Sequence, residues 1–292
     1  MRVQDGQPSA GPHAAIMQHW RIIITGCGTS HGSPPWGWRH LWSEDPRDHR
    51  RRSGAVLLGP AGEVILLDMG PDLMHQLRDP YATWRGYGYP EDCITRCDGV
   101  LLTHDHADHS HGINELRHVN RLQDGRPITI YGHRQHLDLI TQMFPYCFDA
   151  APDEVYRSYK PALTTCPVTD GTPFTVAGVP VVACALWHGP AGRVNGYRIG
   201  SLAYCSDAKS VPEATLPLLE GLDLLVLGML REQPHETHMH LAAALDLVDR
   251  LRPQRTVFVH MGPEMRWAQW QGRLPAGVEL AFDGLEMGFT VP

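Results

Sequence analysis

The sequence predicts a single layered α/β domain, and three observations lead to that prediction. Short apolar runs bounded by turn residues recur through both halves of the 292-residue chain, as buried strands do. These strand-like runs outnumber the helical segments, of which residues 240–251 show the clearest helical spacing. No composition break or fixed-period repeat divides the chain. We therefore expect one domain over residues 19–292, preceded by a flexible extension over residues 1–18.

The elements follow in order along the chain. A first strand over residues 21–24 leads into a turn of small residues at 26–32, hereafter the glycine turn, which brings the backbone close to a neighbouring group. Next comes a segment rich in Trp, Pro and Arg at residues 34–52, hereafter the rim segment, which we expect to border a pocket. Helices are predicted over residues 133–143 and 240–251. The other predicted strands are residues 55–58, 64–67, 99–103, 128–131, 179–185, 202–204, 224–227 and 256–259.

Composition narrows the classes of function. A formal net charge of -7 gives no broad basic surface, so nucleic acid is not favoured as a partner. No apolar run is long enough to cross a bilayer, and the start of the chain does not resemble a secretory signal. Seven cysteines without CxxC spacing indicate reduced thiols in a cytoplasmic protein.

The strongest motif in the sequence is THDHADH at residues 103–109, directly after an apolar strand. His104 and His106 are two residues apart and can point to the same side of the chain. The turn that follows can bring Asp108 and His109 toward a neighbouring point. One loop can thus supply ligands to two metal ions.

Three later residues have the same placement at the end of a predicted strand. They are His188 after residues 179–185, Asp207 after residues 202–204, and His260 after residues 256–259. Because metal ligands must be held rigidly by the scaffold, strand ends are suitable places for them. We expect these three residues to complete the metal site.

The order HxHxDH, His, Asp, His, with each part closing a strand, resembles the metallo-β-lactamase superfamily from Arg21 onward. The resemblance implies a four-layer αβ/βα sandwich, in which two mixed sheets lie face to face with helices outside. It also implies the set of ligands for two divalent metal ions in each chain. One ion would be held by His104, His106 and His188, the other by Asp108, His109 and His260, with Asp207 bridging both.

Two segments narrow the resemblance to the phosphoribosyl cyclic phosphate phosphodiesterase branch. They are the glycine turn, whose backbone amides and Ser30 could cradle a phosphate, and residues 231–238. Members of that branch often continue the first segment with clustered cysteines that bind a structural zinc. Here the chain runs WGWRH at residues 36–40, so we predict that there is no third, structural metal.

This resemblance predicts a metal-dependent phosphodiesterase acting on a small phosphate ester, cyclic esters included. Two divalent ions about 3.5 to 4 Å apart can share a hydroxide as nucleophile at neutral pH. Nitrogen and carboxylate ligands favour Zn²⁺ first and Mn²⁺ second. We predict His238 as the general acid for the leaving group and Asp108 as both ligand and catalytic residue.

The substrate contacts are predicted from residues near the glycine turn, near the THDHADH motif, hereafter the metal motif, and in residues 231–238. The glycine turn and the residues after the metal motif offer polar side chains, and Asp68 ends a strand where it can hydrogen-bond a ligand imidazole. The predicted substrate contacts are Ser30, His31, His111, Arg117 and His235.

Other functions stay open. A lactonase or thioesterase would use the same hydroxide on a carbonyl carbon, and a 3′ tRNA-processing nuclease would use a similar site. Such a nuclease needs a basic arm, for which the chain shows no candidate insertion. A non-hydrolytic metal-binding protein has no need of the complete ligand set. Redox chemistry of the flavodiiron kind is disfavoured because that branch has Glu where this chain has His106.

A homodimer is compatible with the resemblance, but no dimer interface can be identified from the sequence.

Overall fold

The computed structural model describes residues 17–81, 93–149 and 159–292. The predicted extension lies outside these ranges except for its last two residues, and the first strand begins at Gln18. None of the helices in the described ranges has the length and apolar character of a membrane span. Within them the strands are β1 (Gln18–Gly26), β2 (Gly54–Leu58), β3 (Val64–Leu67), β4 (Gly99–Leu101), β5 (Ile128–Gly132), β6 (Leu163–Pro167), β7 (Pro173–Val176), β8 (Val179–Trp187), β9 (Arg193–Ile199), β10 (Leu202–Cys205), β11 (Leu224–Gly228), β12 (Arg255–Val259), β13 (Val278–Leu280) and β14 (Leu285–Val291).

Helices connect these strands on the outside of the sheets. The rim segment carries short 3-10 turns at Arg39–Leu41 and Pro46–Asp48, and its remainder is irregular. The α-helices of the described residues are α1 (Leu73–Arg78), α2 (Ala107–Ser110), α3 (Leu116–Leu122), α4 (Arg134–Met143), α5 (Leu241–Leu251) and α6 (Trp267–Trp270).

The strands form two seven-stranded sheets with the same internal plan. The first has the order β14-β1-β2-β3-β4-β5-β6 and the second β13-β12-β11-β10-β9-β8-β7. Each sheet has an antiparallel half and a parallel half, since β3 to β6 pair in parallel, as do β10 to β13. Both sheets are therefore mixed, as predicted.

Side chains along the central strands point alternately to the two faces of each sheet, and this alternation shows why the fold has four layers. In β3, Ile65 and Leu67 pack into the core between the sheets, whereas Leu66 packs under the helices of the outer layer. Both faces of the strand are buried, which explains why it reads as a continuous apolar run. Ala244 and Leu247 of helix α5 belong to the same contiguous cluster of buried residues as Ile65 and Leu67. The αβ/βα sandwich is thus confirmed.

The carboxyl ends of several strands meet at one edge of the sandwich. Asp68 follows β3, residues 102–109 follow β4, His188 follows β8, Asp207 lies two residues beyond β10, and His260 follows β12. In open α/β sheets, ligands bind outside the carboxyl ends of parallel strands. The topology therefore brings together residues up to 192 positions apart in sequence, as the numbers 68 and 260 show.

Candidate metal centre

The metal motif forms a bend between β4 and α2. The strand ends at Leu101, two residues earlier than predicted, and the chain turns through residues 102–106 before α2 begins at Ala107. This turn brings the rings of His104 and His106 to a centroid distance of 4.4 Å. His104 is buried, whereas His106 is exposed and marks the side of the site that faces solvent.

Asp207 lies at the centre of the site and faces ligand candidates from both sheets. Its Oδ1 is 3.3 Å from His109 Nε2, and its Oδ2 is 3.2 Å from His260 Nε2. The same Oδ2 is 4.0 Å from His104 Nε2 and 3.8 Å from His188 Nε2. The carboxylate of Asp207 therefore lies between imidazoles of both predicted groups, and its role as a bridging ligand stays a prediction.

Three groups of candidate ligand atoms occur among the described residues, and in each the ligand atoms lie within 4.8 Å of one another. One group contains three imidazoles, and the other two combine carboxylates with imidazoles. The first two groups contain the residues of the two ligand sets that the resemblance implies, and the third joins His238 to two of those residues. The groups are His104, His106 and His188; Asp108, His109, Asp207 and His260; and His188, Asp207 and His238.

The unsatisfied polar atoms of the site fit divalent metal ions. His104 Nε2, His109 Nε2 and Asp207 Oδ1 are buried and lack a hydrogen-bond partner among the described residues. A buried polar atom without a partner costs about 1 to 3 kcal/mol unless something else satisfies it. Nitrogen and carboxylate ligands in these numbers suit Zn²⁺ and related ions.

Hydrogen bonds behind the ligands fix the orientation of the rings. Asp68 accepts a 2.7 Å hydrogen bond from His109 Nδ1, which leaves Nε2 to face the site. The predicted contact between Asp68 and a ligand imidazole is thereby confirmed. His188 Nδ1 donates to the carbonyl oxygen of Thr237 at 2.8 Å, so its Nε2 also faces inward. Such outer contacts set the tautomer and the basicity of a metal-binding histidine.

Backbone conformation is unusual at two of these positions. Asp68 has a φ of 66° and His260 a φ of 56°, both in the left-handed region that residues other than glycine rarely adopt. Gly189 also has a positive φ, and a Cβ there would lie 2.5 Å from the carbonyl oxygen of Glu236. The turn after His188 therefore packs directly against the segment that carries His238.

Buried charges in the site depend on one another. Burial alone would lower the pKa of His109, but the carboxylates of Asp207, Asp108 and Asp68 raise it well above its usual value. Burial alone would raise the pKa of Asp207, but the imidazoles of His260 and His109 hold it well below its usual value. A divalent cation bound here would replace the positive charge that these protons supply.

His238 lies beside the cluster, and its predicted catalytic role stays a prediction. Its Nδ1 is 3.8 Å from Asp207 Oδ2, and its ring centroid is 4.5 Å from that of His188 and 4.6 Å from that of His260. Burial and the adjacent His260 lower the pKa of His238 to about 3. The ring is therefore neutral at neutral pH in this arrangement.

The predicted substrate contacts fall into two sets. His31 is exposed beside Ser30, 3.3 Å from its hydroxyl, and lines two cavities bordered by the rim segment. His235 is half-buried, with its ring centroid 5.4 Å from that of His238. Of these three residues, His235 contacts a residue beside the ligand cluster, and the role of all three as substrate contacts stays a prediction.

His111 and Arg117 lie on a different side. The ring of His111 packs edge-on against Phe144 at a centroid distance of 5.2 Å. Arg117 lies on α3, where its charge acts on Tyr146. For the described residues, no contact joins either side chain to the ligand cluster, so their role as substrate contacts stays a prediction.

His136, which lies in the helix predicted over residues 133–143, supports the loop that carries His104 and His106. It is buried on α4, and its Nδ1 contacts the carboxylate of Asp105, the residue between His104 and His106. Its Nε2 donates to the carbonyl oxygen of Arg193 at 2.9 Å, at the start of β9. His136 therefore ties the motif loop of the first sheet to the hairpin that carries His188.

Comparisons with known proteins agree with this fold. The sequence profile of the beta-lactamase superfamily domain matches residues 63–261. Among solved structures, a diphosphatase from the PhnP family is similar with 28% identity and a TM-score of 0.80, covering 94% of this chain and 99% of its own. Zn²⁺-bound PqqB from Methylobacterium extorquens has a TM-score of 0.68 and 19% identity, covering 91% of this chain and 99% of its own. At that identity the likeness to PqqB concerns the fold alone.

Two curated relatives differ from each other in function, since one is an acyltransferase and the other a ribonuclease. An octanoyltransferase from Porphyromonas gingivalis (strain ATCC BAA-308 / W83) is 31% identical over 270 residues, which are 91% of this chain. The match covers 51% of that protein, so this chain spans about half of its length. Ribonuclease Z from Bradyrhizobium diazoefficiens is 31% identical over 132 residues, which cover 45% of this chain and 40% of the relative.

Proposed function

The chain belongs to the metallo-β-lactamase superfamily and is a metal-dependent hydrolase resembling its PhnP branch, and we propose that it hydrolyses phosphodiesters. The observation that carries the proposal is the likeness to a PhnP-family diphosphatase over nearly the whole of both chains, at 28% identity. The ligand cluster with His238 beside it is the second support. We propose a small phosphate ester, cyclic esters included, as the substrate.

We propose that the seven clustered side chains hold two divalent ions, with Zn²⁺ preferred and Mn²⁺ second. When bound, such ions supply Lewis acidity and a hydroxide nucleophile at neutral pH. His104, His106 and His188 would hold one ion, and Asp207 would lie between the two. The other ion would be held by Asp108, His109 and His260.

The chain's own residues then have to move protons and orient the ester. Hydrolysis of a diester forms one P–O bond to water and breaks the P–O bond to an alcohol, which leaves with a proton. His238 lies beside the central carboxylate of Asp207 and has 15% of its side chain exposed, so it can reach a bound ester. We assign it the transfer of the proton from the attacking water to the leaving oxygen. Asp108 holds its place by contacts with His109 and His260, at 3.2 and 3.4 Å.

The test is a panel of phosphorus esters with metal-loaded protein. Bis(p-nitrophenyl) phosphate, a cyclic ribose phosphate and adenosine diphosphate separate diester hydrolysis from the diphosphatase activity of the similar protein. We expect turnover of at least one diester, and a loss of at least about a hundredfold in kcat for His238→Ala on the cyclic ribose phosphate, whose alkoxide leaving group needs a proton. No diester turnover by metal-replete wild type would refute the proposal.

A second candidate is hydrolysis of an acyl ester or thioester. The observation that favours it is the octanoyltransferase that is 31% identical over 91% of this chain, although the match covers 51% of that protein. Lactone and octanoyl thioester panels test this activity. Turnover of these substrates without turnover of any phosphorus ester would replace the first proposal.

The nuclease alternative has less support. The match to ribonuclease Z covers 45% of the chain, and the net charge of -7 gives no general attraction to RNA. A gel shift with precursor tRNA tests it, and specific binding would restore it as a candidate.

A further inference from the structure

The rim segment borders a cavity whose aromatic residues have no part in the proposed chemistry. This cavity, hereafter the tryptophan pocket, has a volume of about 590 Å³ and is lined by Trp36, Trp38, His40, Leu230, Arg231 and Glu264, among others. Its volume lies in the range of pockets that hold small molecules. Trp36 is 97% exposed and Trp38 is 57% exposed. Large aromatic rings left in water at the mouth of a pocket are typical of binding surfaces.

Backbone hydrogen bonds join the wall of the tryptophan pocket to the segments that carry two proposed functional histidines. Gly262, two residues after His260, lines the pocket and donates its backbone N–H to the carbonyl oxygen of Leu230 at 2.8 Å. Leu230, which also lines the pocket, donates to the carbonyl oxygen of Met239, next to His238, at 3.0 Å. The pocket therefore lies beside the backbone that carries His260 and His238.

A tight turn presents the aromatic rings. Gly37, between the two tryptophans, has a φ of 84°, a conformation that glycine adopts without steric strain. Trp36 and Trp38 both line the pocket as a result. The ring of Trp38 also stacks on His40, with centroids 6.0 Å apart and an angle of 20° between the planes. The pocket thus offers flat aromatic faces rather than an aliphatic tunnel.

The charged groups of the pocket suit a ligand that is both aromatic and anionic. Arg231 donates to the backbone carbonyl oxygens of Gln233 and Pro234, and no carboxylate in the described residues pairs with it. Its positive charge is therefore available to an anionic ligand. Glu264 adds a carboxylate that can accept hydrogen bonds from an amino group. Aromatic faces, a guanidinium that can donate hydrogen bonds and a carboxylate that can accept them match a nucleobase, whereas a saturated acyl chain uses neither polar group.

We propose that the tryptophan pocket binds the nucleobase of a nucleoside phosphate ester whose phosphate lies at the metal centre. The inference rests on the proposed function, because it names the substrate class of the same site. Stacking on tryptophan accepts any base, since every base has a π face. The WGWRH segment, which stands where related proteins often have clustered cysteines, is thereby assigned to substrate selection.

The test isolates the base from the rest of the ligand. Isothermal titration calorimetry of metal-loaded protein compares adenosine 5′-monophosphate with ribose 5-phosphate, which share the ribose and the phosphate. We expect the wild type to bind the nucleotide at least about tenfold more tightly, and Trp36→Ala and Trp38→Ala each to reduce that preference. Trp42→Ala is the matched control, because Trp42 is 55% exposed in the same segment but lines a different cavity.

Two results would overturn the inference. The first is equal affinity of the wild type for both ligands, including no measurable binding of either. The second is a preference that survives in the double variant Trp36→Ala, Trp38→Ala. Octanoate binding that is lost in the double variant, without a nucleotide preference in the wild type, would assign the pocket to an acyl chain instead.

A parallel assay separates this inference from the proposed function. Turnover of bis(p-nitrophenyl) phosphate without a preference for the nucleotide would contradict the base subsite alone. A preference for the nucleotide without turnover of any diester would contradict the phosphodiesterase proposal alone.

Discussion

The metal centre and the rim segment are neighbours, but the chain builds them in opposite ways. The centre consists mainly of buried side chains that directly follow strands, so sheet pairing fixes their positions. The rim segment is an irregular loop with short 3-10 turns, and three of its tryptophans are more than half exposed. The comparison indicates that the scaffold fixes the candidate metal ligands, while a loop carries the groups that we propose select the substrate.

The largest effect should come from removing the carboxylate between the two ligand groups. Asp207→Ala removes the oxygens that face His109 and His260 at 3.3 and 3.2 Å. Loss of an outer-shell partner already costs about 10 to 100-fold, so we expect the loss of this ligand to lower kcat/KM by more than about a hundredfold. The assay is diester turnover, with exposed Asp246→Ala as the control. A variant that keeps a tenth of the activity would contradict the central place of Asp207.

The second-largest effect is expected from removing His238, and the loss in kcat should depend on the leaving group. If His238 protonates the departing oxygen, His238→Ala should reduce kcat by about 10² to 10⁴-fold for an alkyl leaving group. The loss should be smaller for p-nitrophenolate, which departs without a proton. Rates for methyl and p-nitrophenyl diesters test this dependence, with metal content checked in parallel. An equal loss on both esters would indicate that His238 does not donate this proton.

A smaller effect is expected from removing His136, which supports the loop that carries two candidate ligands. His136→Ala removes the side chain that links Asp105 to the carbonyl oxygen of Arg193. We expect about a 10 to 100-fold loss in metal affinity or activity, since the motif loop and the hairpin of His188 lose a shared support. His133→Ala is the control, because it changes a histidine just before the same helix. Titration of apo-protein with Zn²⁺ measures the affinity, and unchanged binding together with unchanged turnover would show that the link is dispensable.

The smallest effect concerns the contact between the glycine turn and the rim segment. Buried Asp283 accepts hydrogen bonds from the backbone of Cys27 in the glycine turn and of Arg51 in the rim segment, at 3.0 and 2.7 Å. Burial raises the pKa of Asp283 to about 6. A raised pKa means that its contribution to stability is present at low pH and lost as pH rises through about 6.

The variant Asp283→Asn exposes this pH dependence. The stability of the wild type relative to the variant should be greater at pH 5 than at pH 7.5, because burial of the ionised carboxylate is unfavourable. Thermal unfolding at both pH values measures the difference. A relative stability that stays constant or grows with pH would contradict the raised pKa.

Sequence patterns predicted the strands that are buried on both faces well, and the strands that carry polar or exposed residues poorly. The expectation relied on continuous apolar runs, which β3 and β11 have because both of their faces are buried. β9 lacks such a run because Asn195 and Tyr197 point polar groups at the carbonyl oxygen of Leu102. In β14, exposed Glu286 alternates with buried residues, so the strand shows period two rather than an apolar run.

The same contrast holds for the site. His188, Asp207 and His260 could be predicted because each lies at or just beyond a strand end, a local signal that the sequence displays. His136 could not, because its role depends on α4 meeting both the motif loop and Arg193, which is 57 residues further along the chain. The distances between the rim segment and the metal centre are likewise set by tertiary packing, which no short motif encodes.

Metal analysis by mass spectrometry tests the central claim most directly. We predict close to two divalent ions per chain for the wild type, and a fall toward one for His188→Ala, which removes one of the three imidazoles of the first ligand group. Trp42→Ala, in the rim segment, should keep both ions. A single ion in the wild type, or an unchanged content in His188→Ala, would contradict the two-metal centre.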